Sequence, residues 1–165
     1  MSEPIQVTLP DSWDEVLASP RNHVWVDRFE DGVRFLILRG PSSVCAYIGV
    51  PKSHPLAGFE YDGVPLDCHG GLTFSCEGGE TGPWPAGWWW YGWDYGHAGD
   101  RSTYDDLPGI KALGFGECDE QRWTPKMVDD ESWITRYRFV KLARLAEKIA
   151  AKPGRARPTE QETSP

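Results

Sequence analysis

The sequence predicts an α+β fold, an antiparallel sheet packed by a long C-terminal helix. Three observations carry that prediction. Two apolar runs flank an Asp31-Gly32 step, five of the nine tryptophans sit in a Gly/Pro-rich middle, and a capped helical pattern follows Thr124.

Pro10 to Leu17 reads as a short helix, with Asp11 or Ser12 as its cap and Ser19-Pro20 as its stop. His23 to Phe29 and Val33 to Arg39 read as strands joined through Glu30-Asp31-Gly32. The Asp-Gly step supplies the positive φ that tight hairpins require. A turn at Gly40-Pro41-Ser42-Ser43 leads into a third strand, Val44 to Val50, which completes an antiparallel meander.

Residues 51–70 are irregular, interrupted by Pro51, Pro55 and Pro65. Leu72 to Cys76 and Gly87 to Trp93 read as a further strand pair across a Gly/Pro loop. Pairing them across that loop sets Cys76 near Trp88 and carries His69 to the side of Asp94 or Tyr95. Alternation points Trp88, Trp90 and Gly92 to one face and Trp89, Tyr91 and Trp93 to the other. A strand apolar on both faces is expected to be covered on both.

Thr124-Pro125 opens the last helix as cap and first residue. It is expected to run to about Ala151 with a bend between Ser132 and Arg138. Met127, Ile134, Leu142, Leu145 and Ile149 are expected near its packed face. Residues 1–151 are read as one domain and 152–165, which have almost no apolar side chains, as a disordered tail.

The net charge of −8 is unevenly spread. Residues 1–135 carry 9 Lys/Arg against 22 Asp/Glu, a net of −13, whereas 136–157 carry 8 Lys/Arg and one acid, Glu147. An acidic body repels phosphate backbones and argues against nucleic acid as its partner. The basic stretch reads as the solvated face of a helix. No run approaches the roughly 18 apolar residues of a membrane span and no signal-peptide pattern opens the chain, so a cytoplasmic location is expected. Cys45, Cys68, Cys76 and Cys118 form no C-x-x-C pair and are expected to be free thiols.

Chemistry concentrates in Asp67-Cys68-His69-Gly70-Gly71 and Asp94-Tyr95-Gly96-His97-Ala98-Gly99-Asp100. Imidazoles ligate metals or move protons near neutral pH, carboxylates orient them, and glycines let backbone approach a ligand. His69, Asp94, His97 and Asp100 are therefore the candidate ligand-binding residues. His69, Asp94 and His97 are the candidate set for a divalent metal. His54 and Asp62 join them if the irregular segment folds over the site. Trp89 and Trp93 are candidates to stack on a sugar or base. The competing reading of the same residues is structural, because Asp side chains commonly cap loops. The chain contains no HExxH, Walker A, GxSxG or GxGxxG pattern.

The pieces His69-Gly70-Gly71-Leu72-Thr73-Phe74 and Trp89-Trp90-Tyr91-Gly92-Trp93-Asp94 … His97-Ala98-Gly99-Asp100, with His54-Pro55, Tyr61-Asp62 and Trp123-Thr124, resemble a family of small uncharacterised bacteriophage and bacterial proteins. The resemblance spans about Val44 to Ile149. It implies a phage-type accessory protein in the host cytoplasm, acting against host defences by binding or cleaving a signalling nucleotide.

Three functions remain open at this point. The first is binding of a small polar ligand, a nucleotide or sugar derivative. The second is metal-assisted hydrolysis through His69, Asp94 and His97. The third is inhibition or assembly of a host protein partner.

Overall fold

A computed structural model describes residues 8–114 and 119–152. Its centre is a five-stranded antiparallel sheet: β1 Val24–Glu30, β2 Val33–Arg39, β3 Val44–Pro51, β4 Phe74–Glu77 and β5 Trp88–Asp94. The strand order is β1-β2-β3-β5-β4. Four helices complete the fold: α1 Trp13–Ala18, α2 Pro108–Ala112, α3 Pro125–Glu131 and α4 Trp133–Ala150. This is the expected α+β class.

The β1–β2 hairpin closes directly at Glu30↔Val33. Asp31 and Gly32 both take positive φ, 54° and 82°, as a two-residue turn of primed type demands. β3 then pairs with β5 through Cys45↔Asp94 to Pro51↔Trp88, a contact that local turn signals do not announce. Cys76 faces Trp90, two residues from the expected Trp88. The slip leaves each side chain on its expected face, because the side-chain period of a strand is two.

Both faces of β5 are covered, and by different means. Tyr91 and Trp93 join Phe35, Ile37, Ala46 and Ile48 in the main core, against Val16 of α1, Val128 of α3 and Phe139 and Ala143 of α4. Trp90 lies on the opposite face with Leu36, Leu38, Cys45 and Tyr47. The Gly/Pro loop between β4 and β5 folds over that second face. Its Trp84 stacks on Phe74 at 4.8 Å and meets Tyr47 edge-on at 5.6 Å. The Trp90 indole N–H donates to the Pro85 carbonyl at 3.2 Å. Gly49 has no Cβ because Trp90 crosses it: a methyl there would sit 2.8 Å from the indole.

The C-terminal helical run breaks at Ser132, within the interval expected for a bend. Thr124 caps α3 by accepting from Met127 N. Of the apolar face expected for this run, Leu142 packs against the core and Met127 and Ile134 are half-buried. Val128, Ser132, Thr135, Phe139 and Ala143 are buried, whereas Leu145 and Ile149 are exposed. From residue 153, the expected tail lies outside the described residues, as does Cys118. Cys45, Cys68 and Cys76 are free. Among the described residues no helix is long and apolar enough to cross a membrane.

Candidate functional site

The site lies where β5 ends and the turn before β4 returns. Cys68 to Gly71 form a tight turn closed by Gly71 N–H donating to the Cys68 carbonyl at 3.0 Å. Gly70 takes φ +66°, at the turn position that favours glycine. It also gives room to a neighbour, since a Cβ on Gly70 would stand 2.1 Å from Cε1 of His97. The HGG sequence thus presents His69 and lets the His97 ring cover the adjacent backbone. On the other side, Asp94 accepts from Gly96 N–H at 3.0 Å and begins a loop that reverses through Gly99 at φ +94°. The loop is fixed to the chain before α3 by Arg101 N–H to the Gln121 carbonyl and Gln121 N–H to the Gly99 carbonyl, both 2.8 Å.

Asp100 is the hub. Its side chain is only 7% exposed. Oδ2 lies 2.7 Å from His69 Nε2 and accepts from His97 N–H at 3.0 Å. Oδ1 accepts from the Trp123 indole at 2.7 Å. Burial alone would raise the pKa of this carboxyl. The bonds from His69, Trp123 and His97 outweigh it and hold the group below the ordinary carboxylate value.

His69 is oriented by aromatic walls. Its ring stacks on Tyr95 at 4.5 Å and 12°, and Trp123 stands edge-on at 5.0 Å. Tyr95 is itself locked, accepting from Trp93 Nε1 at 3.1 Å and donating to Glu131 of α3 at 2.6 Å. His97 completes the group. Its Nδ1 is buried with no hydrogen-bond partner among the described residues, 3.8 Å from Asp100 Oδ2 and 3.9 Å from Asp94 Oδ1. Ligand atoms of His69, His97 and Asp100 all lie within 4.8 Å of one another.

The expected convergence of His69, Asp94 and His97 at one end of the sheet is present, but the tight trio contains Asp100 in place of Asp94. Asp94 turns its Oδ1 to Gly96 N–H and its Oδ2 to the Thr73 hydroxyl at 3.4 Å. It therefore stands beside the trio, 37% exposed. Trp93 is 1% exposed and packs in the main core, and it also borders the cleft beside Asp94. Trp89 is at the far end of β5, roughly 17 Å along the strand from Asp94 at about 3.4 Å per residue. Its indole donates to the Phe59 carbonyl.

His54 belongs to another neighbourhood. It is buried near α4, accepts from Leu56 N–H at 3.1 Å and lies 3.5 Å from Glu147. Burial pushes its imidazole below the ordinary value, against the pull of Glu147 and of the Ala143 backbone. Asp62 is exposed on a single 3-10 turn, Tyr61–Gly63, outside the trio. The aromatic residues that do serve the site are Tyr95 and Trp123. Tyr95 lies within the Asp94–Asp100 segment and beside His69 in the expected register, whereas Trp123 sits in no histidine or glycine motif that would single it out as a partner of His69.

A cleft of about 290 Å³ opens beside Asp94, lined by Ser42, Ser43, Thr73, Tyr47 and Phe74 among others, with no Lys, Arg or His among the described residues of its wall. Cys68, close to His69, is no ready nucleophile. Burial, with Asp67 and Glu131 nearby, pushes its thiol up to about 12.

No family model, curated protein or solved structure matches this chain.

Proposed function

We propose that the chain binds a divalent transition metal at His69, His97 and Asp100 and uses it to hold a small polar ligand. The observation that carries this reading is the buried, unpartnered Nδ1 of His97 beside the His69–Asp100 pair. A buried ring nitrogen without a partner is costly unless something ligates it. Two imidazoles and one carboxylate form a borderline donor set suited to zinc and its neighbours, and such three-residue sets leave positions open for water or ligand. Tyr95 and Trp123 would act as the outer supports that fix ring orientation.

The cleft beyond Asp94 supports a ligand with hydroxyl groups. Ser42, Ser43, Thr73 and Asp94 offer donors and acceptors there, and the described residues of its wall include no cation to welcome a phosphate. A nucleotide or sugar derivative fits both parts, its anionic end at the metal and its hydroxyl-bearing end in the cleft. The resemblance to phage accessory proteins places signalling nucleotides first among the ligands to try, with counter-defence as the role.

Titration of the metal-stripped protein with Co²⁺ and Zn²⁺ tests this reading. One equivalent should bind, with the visible absorption of a cobalt–imidazole site, and His69→Ala, His97→Ala and Asp100→Asn should each abolish it. Binding that is equally strong in all three variants would refute the site. Hydrolysis is the second reading, favoured by Asp94 standing 3.9 Å from His97 with part of its carboxylate in solvent. It would serve there as general base toward metal-bound water. Asp94→Asn should then remove turnover of a phosphodiester or nucleotide panel while leaving cobalt bound.

A further inference from the structure

A second cleft lies between the β1–β2 hairpin and α4. Its volume is about 430 Å³, within the size range of small-ligand pockets. Its walls combine two kinds of side chain. Trp133 and Tyr137, one helical turn apart on α4, are 58% and 51% exposed, although aromatic residues of that size are usually covered. Around them stand Arg28, Arg136, Lys141 and Arg144. Counting these four cations against Glu30, Asp31 and Asp129 gives 4 − 3 = +1, in a chain of net −8.

The cations are arranged rather than scattered. Arg136 lies over the Phe35 ring at 4.7 Å and reaches Asp129 at 3.1 Å, so one guanidinium is fixed at the base of the cleft. Lys141 sits over Tyr137 at 4.4 Å. Arg144 pairs with Asp31 at 2.8 Å, but both side chains are more than half exposed. Such a pair exchanges its partner at little cost. A flat basic face would suit any polyanion. A concave one with exposed rings suits a small planar group carrying a negative charge.

We infer that this cleft binds a planar aromatic anion of the nucleoside monophosphate class, the base stacking on Trp133 and the phosphate taken by Arg144 and its neighbours. The site shares no residue with the His69–His97–Asp100 trio and does not rest on the metal reading. Calorimetric titration of the full chain in EDTA with AMP, adenosine and inorganic phosphate tests it. EDTA silences the metal site, and His97→Ala serves as a further control in which binding here should persist.

AMP should bind measurably below the millimolar range, with adenosine and phosphate each at least tenfold weaker. Trp133→Ala should weaken AMP by about 5- to 100-fold, the usual worth of one base–aromatic stack. Arg144→Ala should weaken AMP and leave adenosine unchanged. Both positions are more than half exposed, and an unchanged thermal midpoint will establish that each variant is folded. No AMP binding, phosphate binding as tightly as AMP, or indifference to Trp133→Ala would each overturn the inference. So would binding of anionic phospholipid vesicles by this face while AMP stays silent.

Discussion

Asp100 and Asp106 belong to one loop segment, are both nearly buried, and each accept an indole N–H at 2.7 Å, yet their surroundings assign them opposite tasks. Asp106 is neutralised by permanent cations. Arg101, itself 1% exposed, reaches both of its oxygens at 3.2 Å, Lys111 approaches at 3.1 Å, and Trp13 donates from α1. Burial would raise its pKa, but these donors overturn that and hold it far below the carboxylate range. Asp100 meets two imidazoles, an indole and a backbone N–H. Among the described residues, no guanidinium or ammonium closes that charge. Asp106 is therefore a pin between α1 and the loop, and Asp100 is the charge that the proposed metal would neutralise.

The largest effect should come from breaking the pin. Arg101→Ala leaves a buried carboxylate without its main partner, and losing one member of a buried pair costs about 3–5 kcal/mol. Equilibrium denaturation in urea measures it. A loss below about 1 kcal/mol would mean that Lys111 and water neutralise Asp106 unaided, and the contrast with Asp100 would collapse.

Acid titration sharpens the same contrast. The folded pKa of Asp106 lies below its unfolded value of about 3.9. Its contribution is then fully present above that pH and is lost as pH falls through the folded pKa. Stability should drop steeply below about pH 4, and Asp106→Asn, though less stable at neutral pH, should show a flatter acid limb. An acid limb identical in the variant would show that other carboxylates govern acid unfolding.

Asp100→Asn should cost less, about 1–3 kcal/mol, because the donors it loses are the charge-assisted contacts of a small group and no buried cation is orphaned. The same variant should lose cobalt entirely. A stability loss as large as that of Arg101→Ala would reassign Asp100 to the framework.

How much of this was legible in sequence depended on how local the signal was. The meander was readable because Asp31-Gly32 fixes its own turn, and α3 because Thr124-Pro125 caps itself. The two faces of β5 followed from alternation alone. The β3–β5 pairing was hidden, since strand order is set by the joint burial of distant residues. The convergence of His69 with His97 followed from antiparallel pairing. The substitution of Asp100 for Asp94 did not, because an Asx-type bond from Gly96 claims Asp94 and a loop reversal at Gly99 brings Asp100 inward. The burial of Trp93 in the core was hidden, because an aromatic residue gives no sign of which neighbour will cover it.

The finest test of the contrast between framework and site compares two adjacent glycines. Gly70 and Gly71 both have positive φ, +66° and +83°, so a methyl at either should cost about 1–2 kcal/mol of backbone strain. Nothing lies within 4 Å of a Cβ on Gly71, whereas one on Gly70 meets the His97 ring at 2.1 Å. Gly71→Ala should therefore lose a little stability and keep its cobalt. Gly70→Ala should pay a similar strain and also displace His97, weakening cobalt binding by at least tenfold. Equal cobalt affinity in the two variants would mean that His97 contributes no ligand, and the site would shrink to the His69–Asp100 pair.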